Sequence, residues 1–250
     1  MTNNNMYFIA NWKMFGNLKS INSIKNVINL STKLQYRKAK IIYCPPYTLL
    51  DQFVKKTIKT KIDIGAQDCH THQNYGAFTG SINAKMIKNA GSKFIIIGHS
   101  ENRNTGDTNK IINLKIKSSL NEKLKIIFCI GETLKEKRNK KTNQVINMQI
   151  KKGLKDIKKI NNIIFAYEPV WSIGTGIIPE LGDLSNQFKK IKFFIKKTYK
   201  VKNPLVLYGG SVNPKNILSL REISLINGFL IGAASQNSKK FIDIIKKTIN

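Results

Sequence analysis

An α/β fold, a (β/α)8 barrel of eight parallel strands surrounded by helices, is what this 250-residue chain predicts. Three observations carry that expectation. Short β-branched or aromatic runs recur eight times, segments with helical spacing lie between them, and polar residues or glycines follow several of the runs.

The runs occupy residues 6–10, 41–44, 62–64, 94–97, 126–130, 163–167, 205–208 and 228–231. None alternates strictly between apolar and polar, which suits strands covered on both faces, as in a parallel sheet. Before the second run, Leu18, Ile21, Ile24 and Ile28 repeat at helical spacing, and before the seventh, Leu184, Phe188, Ile191 and Ile195 do the same. Phe241, Ile242, Ile245 and Ile249 make a last such segment, expected to close the ring as a terminal helix. Strand-helix alternation implies right-handed crossovers, and eight units fit the usual barrel size. An open doubly wound sheet is the rival, but no G-x-G-x-x-G follows the first strand. With no Pro- or Ser-rich linker and no fixed-period repeat, one domain over residues 1–250 is expected.

Of 43 basic residues only four are arginine, leaving 39 lysines against 14 acids and a net charge of +29. Such a balance suits a nucleic-acid binder. Yet lysine, isoleucine and asparagine are in excess throughout, as compositional drift would produce, and no aromatic-interleaved basic block stands out. Nucleic-acid binding is therefore not expected as the primary role, although the field favours anionic substrates. No apolar run approaches a membrane span, and Met1-Thr2-Asn3-Asn4-Asn5 lacks the basic and apolar regions of a signal, so a cytoplasmic protein is expected. Cys44, Cys69 and Cys129 are far apart and form no C-x-x-C pair; they read as reduced thiols.

In a (β/α)8 barrel the carboxyl ends of the strands face the active site. Here they carry Asn11-Trp12-Lys13, Gly98-His99-Ser100-Glu101, Cys129-Ile130-Gly131-Glu132 and Tyr167-Glu168-Pro169-Val170-Trp171, with glycine-rich turns Gly209-Gly210-Ser211 and Gly232-Ala233-Ala234-Ser235. Taken singly, Lys13 reads as a solvated charge, His99 as a hydrogen-bonded structural histidine and Glu168 as a loop carboxylate. On neighbouring strand ends they supply a cation, an electrophilic donor and a base, the equipment for removing a proton next to a carbonyl. The glycines either permit tight turns or bring backbone N–H groups to a phosphate; Ser211 beside two glycines favours phosphate.

Asn11-Trp12-Lys13-Met14, Ile97-Gly98-His99-Ser100-Glu101, Cys129-Ile130-Gly131-Glu132, the stretch from Ala166-Tyr167-Glu168-Pro169 to Gly174-Thr175-Gly176, and Tyr208-Gly209-Gly210-Ser211-Val212 resemble the signature segments of the triosephosphate isomerase family, in the family's order from residue 7 to residue 235. The resemblance implies interconversion of dihydroxyacetone phosphate and D-glyceraldehyde 3-phosphate through an enediol or enediolate, in glycolysis and gluconeogenesis. It implies Glu168 as base and His99 as electrophile, working as neutral imidazole, a point for which this family is the standard illustration. Lys13 and Asn11 would hold the substrate oxygens, with Glu101 in support near Lys13. Backbone N–H groups of Gly174, Ser211, Gly232 and Ala233 would hold the phosphate. Residues 169–179 would form a lid hinged at Pro169 and at Gly174-Thr175-Gly176. No metal or organic cofactor is implied.

The resemblance also implies a homodimer through the loop around Gln67 to Ser81, with Thr79 reaching the partner's site near Lys13. Several positions depart from the family: Asn102 replaces the first of two arginines, the loop to Asp107 is one residue shorter, and Ser81 replaces a glutamate that would pair with that arginine. Ala233 stands for a second glycine, Asp68 for an asparagine, and Ile177-Ile178 follow the lid. Two other chemistries compete. A Schiff-base aldolase would need Lys13 in an apolar pocket. A decayed barrel binding nucleic acid would not need Asn11, Lys13, His99 and Glu168 together.

Overall fold

The structure, a computed structural model, describes residues 5–250, so the opening segment read for signal features lies outside the described residues apart from Asn5. All eight apolar runs form strands: β1 Met6–Asn11, β2 Ala39–Cys44, β3 Asp63–Ala66, β4 Phe94–Ile97, β5 Lys125–Ile130, β6 Ile163–Tyr167, β7 Val206–Tyr208 and β8 Gly228–Ile231. Each pairs in parallel with its neighbour in sequence, and β8 closes on β1 from Tyr7↔Gly228 to Ala10↔Ile231. Between them run α1 Lys25–Thr32, α2 Tyr47–Thr57, α3 Ala84–Asn89, α4 Ser100–Asn104, α5 Asn109–Asn121, α6 Leu134–Arg138, α7 Thr142–Gly153, α8 Leu181–Tyr199, α9 Ile217–Arg221 and α10 Ser238–Ile249.

The missing alternation has a plain cause. Alternate strand residues fill two separate cores, and both are apolar. Ile9, Ile42, Ile96, Ile127, Leu207 and Leu230 pack inside the barrel with Cys44 and Cys129, whereas Phe8, Ile41, Ile95 and Phe128 pack outward against the helices. All three cysteines are buried free thiols.

Several boundaries differ from the expectation by one or two residues, and two of the differences have a plain local cause. Residues 18–24 wind as a 3₁₀ helix before α1, started by a reciprocal Asn17–Ser20 capping box, and Leu18 at its first position is exposed while Ile21 and Ile24 are buried. β3 runs two residues past the apolar stretch because Gly65 and Ala66 continue it. A Cβ at Gly65 would stand 2.7 Å from the Cys44 Sγ, so the crowded interior favours glycine where β propensity disfavours it. The predicted row on α8 holds, with Leu184, Phe188, Ile191 and Ile195 buried, whereas on α10 Phe241 and Ile245 are buried as expected but Ile244 joins them, and Ile242 and Ile249 are only half-buried.

At the opposite end from the site, Asp63 opens β3 and accepts a bond of 2.9 Å from Lys93, with Lys40 as its second cation. Burial pushes its carboxyl up, but the hydrogen bonds and charges of the two lysines outweigh that and hold it below its ordinary value. Among the described residues no helix is long and apolar enough to cross a membrane.

Candidate active site

Asn11 and Lys13 follow from the end of β1, where the chain turns sharply. Lys13 has φ 56°, a left-handed conformation that costs a non-glycine residue energy. Its N–H donates to Asn11 Oδ1 at 3.1 Å, and its carbonyl accepts from Gln67 Nε2 at 2.9 Å; the same amide nitrogen donates to the Cys44 carbonyl at 2.9 Å. The side chain of Gln67 thus braces the strained residue against β2. This contact spans 54 positions and had no signal in the sequence beyond the placement of Gln67 after β3. Lys13 Nζ lies 2.5 Å from Glu101 Oε1, an ammonium paired with a carboxylate and not an amine in an apolar pocket, which disfavours the aldolase reading.

His99 caps α4. The Glu101 N–H at the start of that helix points at His99 Nδ1, 3.2 Å away. That nitrogen is therefore the acceptor, and the tautomer this contact assigns carries its proton on Nε2. Glu101 Oε2, 3.6 Å from Nδ1, then meets a lone pair and forms no ion pair with it. Nε2 faces Glu168 Oε1 at 3.4 Å.

Glu168 follows β6 and is buried. Its Oε2 accepts from the Ser100 N–H at 3.3 Å, but among the described residues Oε1 has no hydrogen-bond partner. A buried carboxylate oxygen without a donor is costly, so its position calls for something that arrives there. Room for this side chain comes from glycines. A Cβ at Gly131 would fall 1.7 Å from the Glu168 carbonyl oxygen, and one at Gly209 would fall 2.8 Å from its Cγ.

Asn11, Lys13, His99 and Glu168 line one cavity of about 330 Å³ together with Gly174, Ser211, Gly232 and Ala233. Glu101 does not line it and meets it through Lys13 and His99. Ala233 is absent from the left-handed residues, so the methyl group that replaces the family's glycine meets no backbone strain. The Ser211 N–H departs from the expectation of an open donor: it points at Ser172 Oγ, 3.3 Å away. Two side-chain contacts stitch the β1 end to the turn after β8, Trp12 Nε1 to the Ser235 carbonyl at 3.2 Å and Gln236 Nε2 to the Trp12 carbonyl at 3.1 Å.

Pro169 precedes a single 3₁₀ turn, Val170–Ser172, and Gly174 and Gly176 follow at φ 74° and 79°. Ser172 Oγ donates to the Ile177 carbonyl at 2.8 Å and lies 3.1 Å from Tyr208 Oη. Trp171 Nε1 donates to buried Glu132 at 3.0 Å, Tyr167 Oη donates to the same carboxylate, and Lys137 lies 3.6 Å from the Trp171 ring centre. Burial pushes the Glu132 carboxyl up despite these donors. Asp68, one of the departures from the family, shares a partner with Asp107. Lys115 Nζ lies 2.6 Å from Asp68 Oδ2 and 2.7 Å from Asp107 Oδ2, two carboxylates on one buried ammonium, and Asp68 Oδ1 is left without a donor. Among the described residues, no group of three or more His, Cys, Asp or Glu side chains could hold a metal.

The family model for triosephosphate isomerase matches residues 6–248. The triosephosphate isomerase of Dictyoglomus thermophilum is 40% identical over 244 residues, covering 95% of this chain and 97% of that one. That of Saccharomyces cerevisiae is 37% identical over 244 residues, 96% of this chain and 97% of its own. The crystal structure of triosephosphate isomerase from Bartonella henselae superposes with a TM-score of 0.88 at 31% identity, over 97% and 98% of the two chains. A full-length match in sequence and in barrel geometry leaves one conclusion: this chain belongs to the triosephosphate isomerase family.

Proposed function

We propose that the protein interconverts dihydroxyacetone phosphate and D-glyceraldehyde 3-phosphate by proton transfer. The observation that supports this most directly is Glu168 Oε1, buried and among the described residues without a hydrogen bond, 3.4 Å from His99 Nε2 in one cavity. With the ketose bound, Glu168 takes a proton from C1 while His99 Nε2–H donates to the carbonyl oxygen, giving the enediol(ate). The same carboxyl then returns the proton at C2 while the C1 hydroxyl gives up its proton through His99 to the C2 oxygen, so that C1 becomes the aldehyde and both side chains end as they began. Lys13 offsets the negative charge on the substrate, and the Asn11 amide, whose Oδ1 already holds Lys13, offers its N–H₂ donors to the substrate oxygens. Glu101 positions Lys13 and caps the geometry of His99 through its own N–H.

The phosphate lies against the Gly174, Ser211, Gly232 and Ala233 amides, and residues 169–179 close over it, excluding water from the enediolate. For the Ser211 N–H to reach it, the contact with Ser172 must open or be shared. The barrel acts as one domain in the cytoplasm, in glycolysis and gluconeogenesis.

The protein works as a homodimer. Residues 72–81 are exposed throughout, and Tyr75 and Phe78 stand out on that loop with Met14 nearby in sequence to the site, an apolar surface suited to a second copy. Thr79 of that loop would reach the partner's Lys13. Sedimentation that gives only monomers with full activity would remove this assembly.

The decisive assay compares wild type with Glu168→Asp, which withdraws the carboxylate by one methylene. A kcat lower by roughly a hundredfold with little change in KM is expected. Equal rates would take Glu168 out of the chemistry.

A further inference from the structure

The outer face of α8 carries two rows of lysine with an exposed ring between them. Lys189, Lys192 and Lys196 follow one another at helical spacing, and Lys190 and Lys197 run along the other side of Phe193. Phe193 is 65% exposed and lines two concavities, one of about 700 Å³ towards residues 202–205 and one of about 690 Å³ towards α7. With Lys202 and Lys151, seven lysines line the pair and no carboxylate does. None of the seven joins an ion pair among the described residues, although Lys13, Lys40, Lys55, Lys93, Lys115, Lys117 and Lys247 all find carboxylates elsewhere. In the sequence this run is one lysine-rich stretch among many; folded, it is a basic groove organised around an aromatic ring.

Six of the seven are exposed, while half-buried Lys192 already donates to Asn227 Oδ1 at 2.7 Å, and unneutralised cations so gathered gain most from a polyanion, which releases its condensed counterions on binding. The ring decides between polyanions. An acidic peptide offers Phe193 no flat partner, whereas an unpaired base stacks on it, and the amides of Asn147 and Asn203 can meet base edges. A lipid surface would call for a broader apolar face than one ring in a concave wall. We infer that the outer face of α8 binds single-stranded nucleic acid, with phosphates along the lysine rows and a base stacked on Phe193. This reading is independent of the isomerase chemistry, since the groove and the catalytic cavity share no lining residue.

The test is fluorescence anisotropy of a labelled oligothymidylate of about 12 nucleotides, titrated at several salt concentrations, with isomerase activity as the check that each variant folds. Phe193→Ala is expected to bind about tenfold more weakly. The triple change Lys189→Gln, Lys196→Gln, Lys197→Gln is expected to flatten the slope of log K against log salt by about 2 units. Lys56→Gln, Lys59→Gln, Lys61→Gln removes the same charge from exposed, unpaired lysines beyond the groove and is expected to leave affinity within about twofold of wild type. Unchanged binding by Phe193→Ala, or an equal loss in the two triple variants, would overturn the proposal in favour of a diffuse positive field. Competition by polyglutamate as strong as by unlabelled oligonucleotide would overturn it in favour of an acidic protein partner.

Discussion

A Cβ added at Gly209 would stand 2.8 Å from Glu168 Cγ and 3.4 Å from Oε1, while the backbone there needs no positive φ. Gly209→Ala is therefore expected to displace the Glu168 carboxylate, the proposed base, without straining the turn: kcat should fall about tenfold or more, and Tm should move little. Steady-state kinetics beside a thermal melt would separate the two effects, and a full kcat would mean that the carboxylate is not held by this contact. At the other departure from the family, Lys115 neutralises only one of the two carboxylates facing it, and burial pushes the Asp68 carboxyl up despite Lys115. A raised carboxyl pKa gives stability that is complete below the unfolded value and lost as pH rises through the folded one. Asp68→Asn should then be neutral or stabilising at pH 7. Lys115→Met, which strands both carboxylates, should cost about 3–5 kcal/mol in denaturant unfolding. The opposite ranking would show that the pair tolerates its excess charge.

Among the elements, the proposed lid over residues 169–179 depends on one hydroxyl. Ser172 Oγ bonds the Ile177 carbonyl, meets Tyr208 Oη and receives the Ser211 N–H. Ser172→Ala should lower kcat/KM for the triose phosphates about five- to tenfold, as expected for one or two net hydrogen bonds. Turnover of unphosphorylated glyceraldehyde, which gives the lid no phosphate to close on, should change less. Equal losses would place the effect in the fold and not in closure.

Strand positions were legible because a parallel barrel buries both faces, so each strand reads as an unbroken apolar run. The strand-end polar residues were legible for the complementary reason, since a polar group after such a run must be satisfied or used. What stayed hidden depends on distance or on torsion. The brace from Gln67 to Lys13 joins β3 to β1, the left-handed turn at Lys13 occurs at a residue type that rarely adopts it, and the engagement of the Ser211 N–H by Ser172 links two loops. The 3₁₀ turn at Leu18–Ile24 escaped because helical spacing does not distinguish three residues per turn from 3.6 over so short a stretch.

For the molecule as a whole, charge sets two responses. Asp63 ties β3 to Lys40 and Lys93, and its lowered carboxyl contributes stability above its ordinary value of 3.8 that is lost as pH falls through the lower folded value. Asp63→Asn should therefore flatten the acid limb of the stability–pH curve below about pH 4, read by denaturant midpoints at each pH. At +29 per chain, two copies repel, so self-association should tighten as salt rises from about 0.01 to 0.15 M and the Debye length shrinks from about 30 to 8 Å. Sedimentation across that range checks it; weaker association at higher salt would point to an interface held by opposite charges.

The seam between β1 and β8, with Trp12 gripped by Ser235 and Gln236, has a consequence for synthesis. Lys13 follows β1 and Gly232 and Ala233 follow β8, so the two walls of one cavity are made at opposite ends of the strand order. The cavity that both walls line is therefore complete only once β8 has been made and has closed on β1.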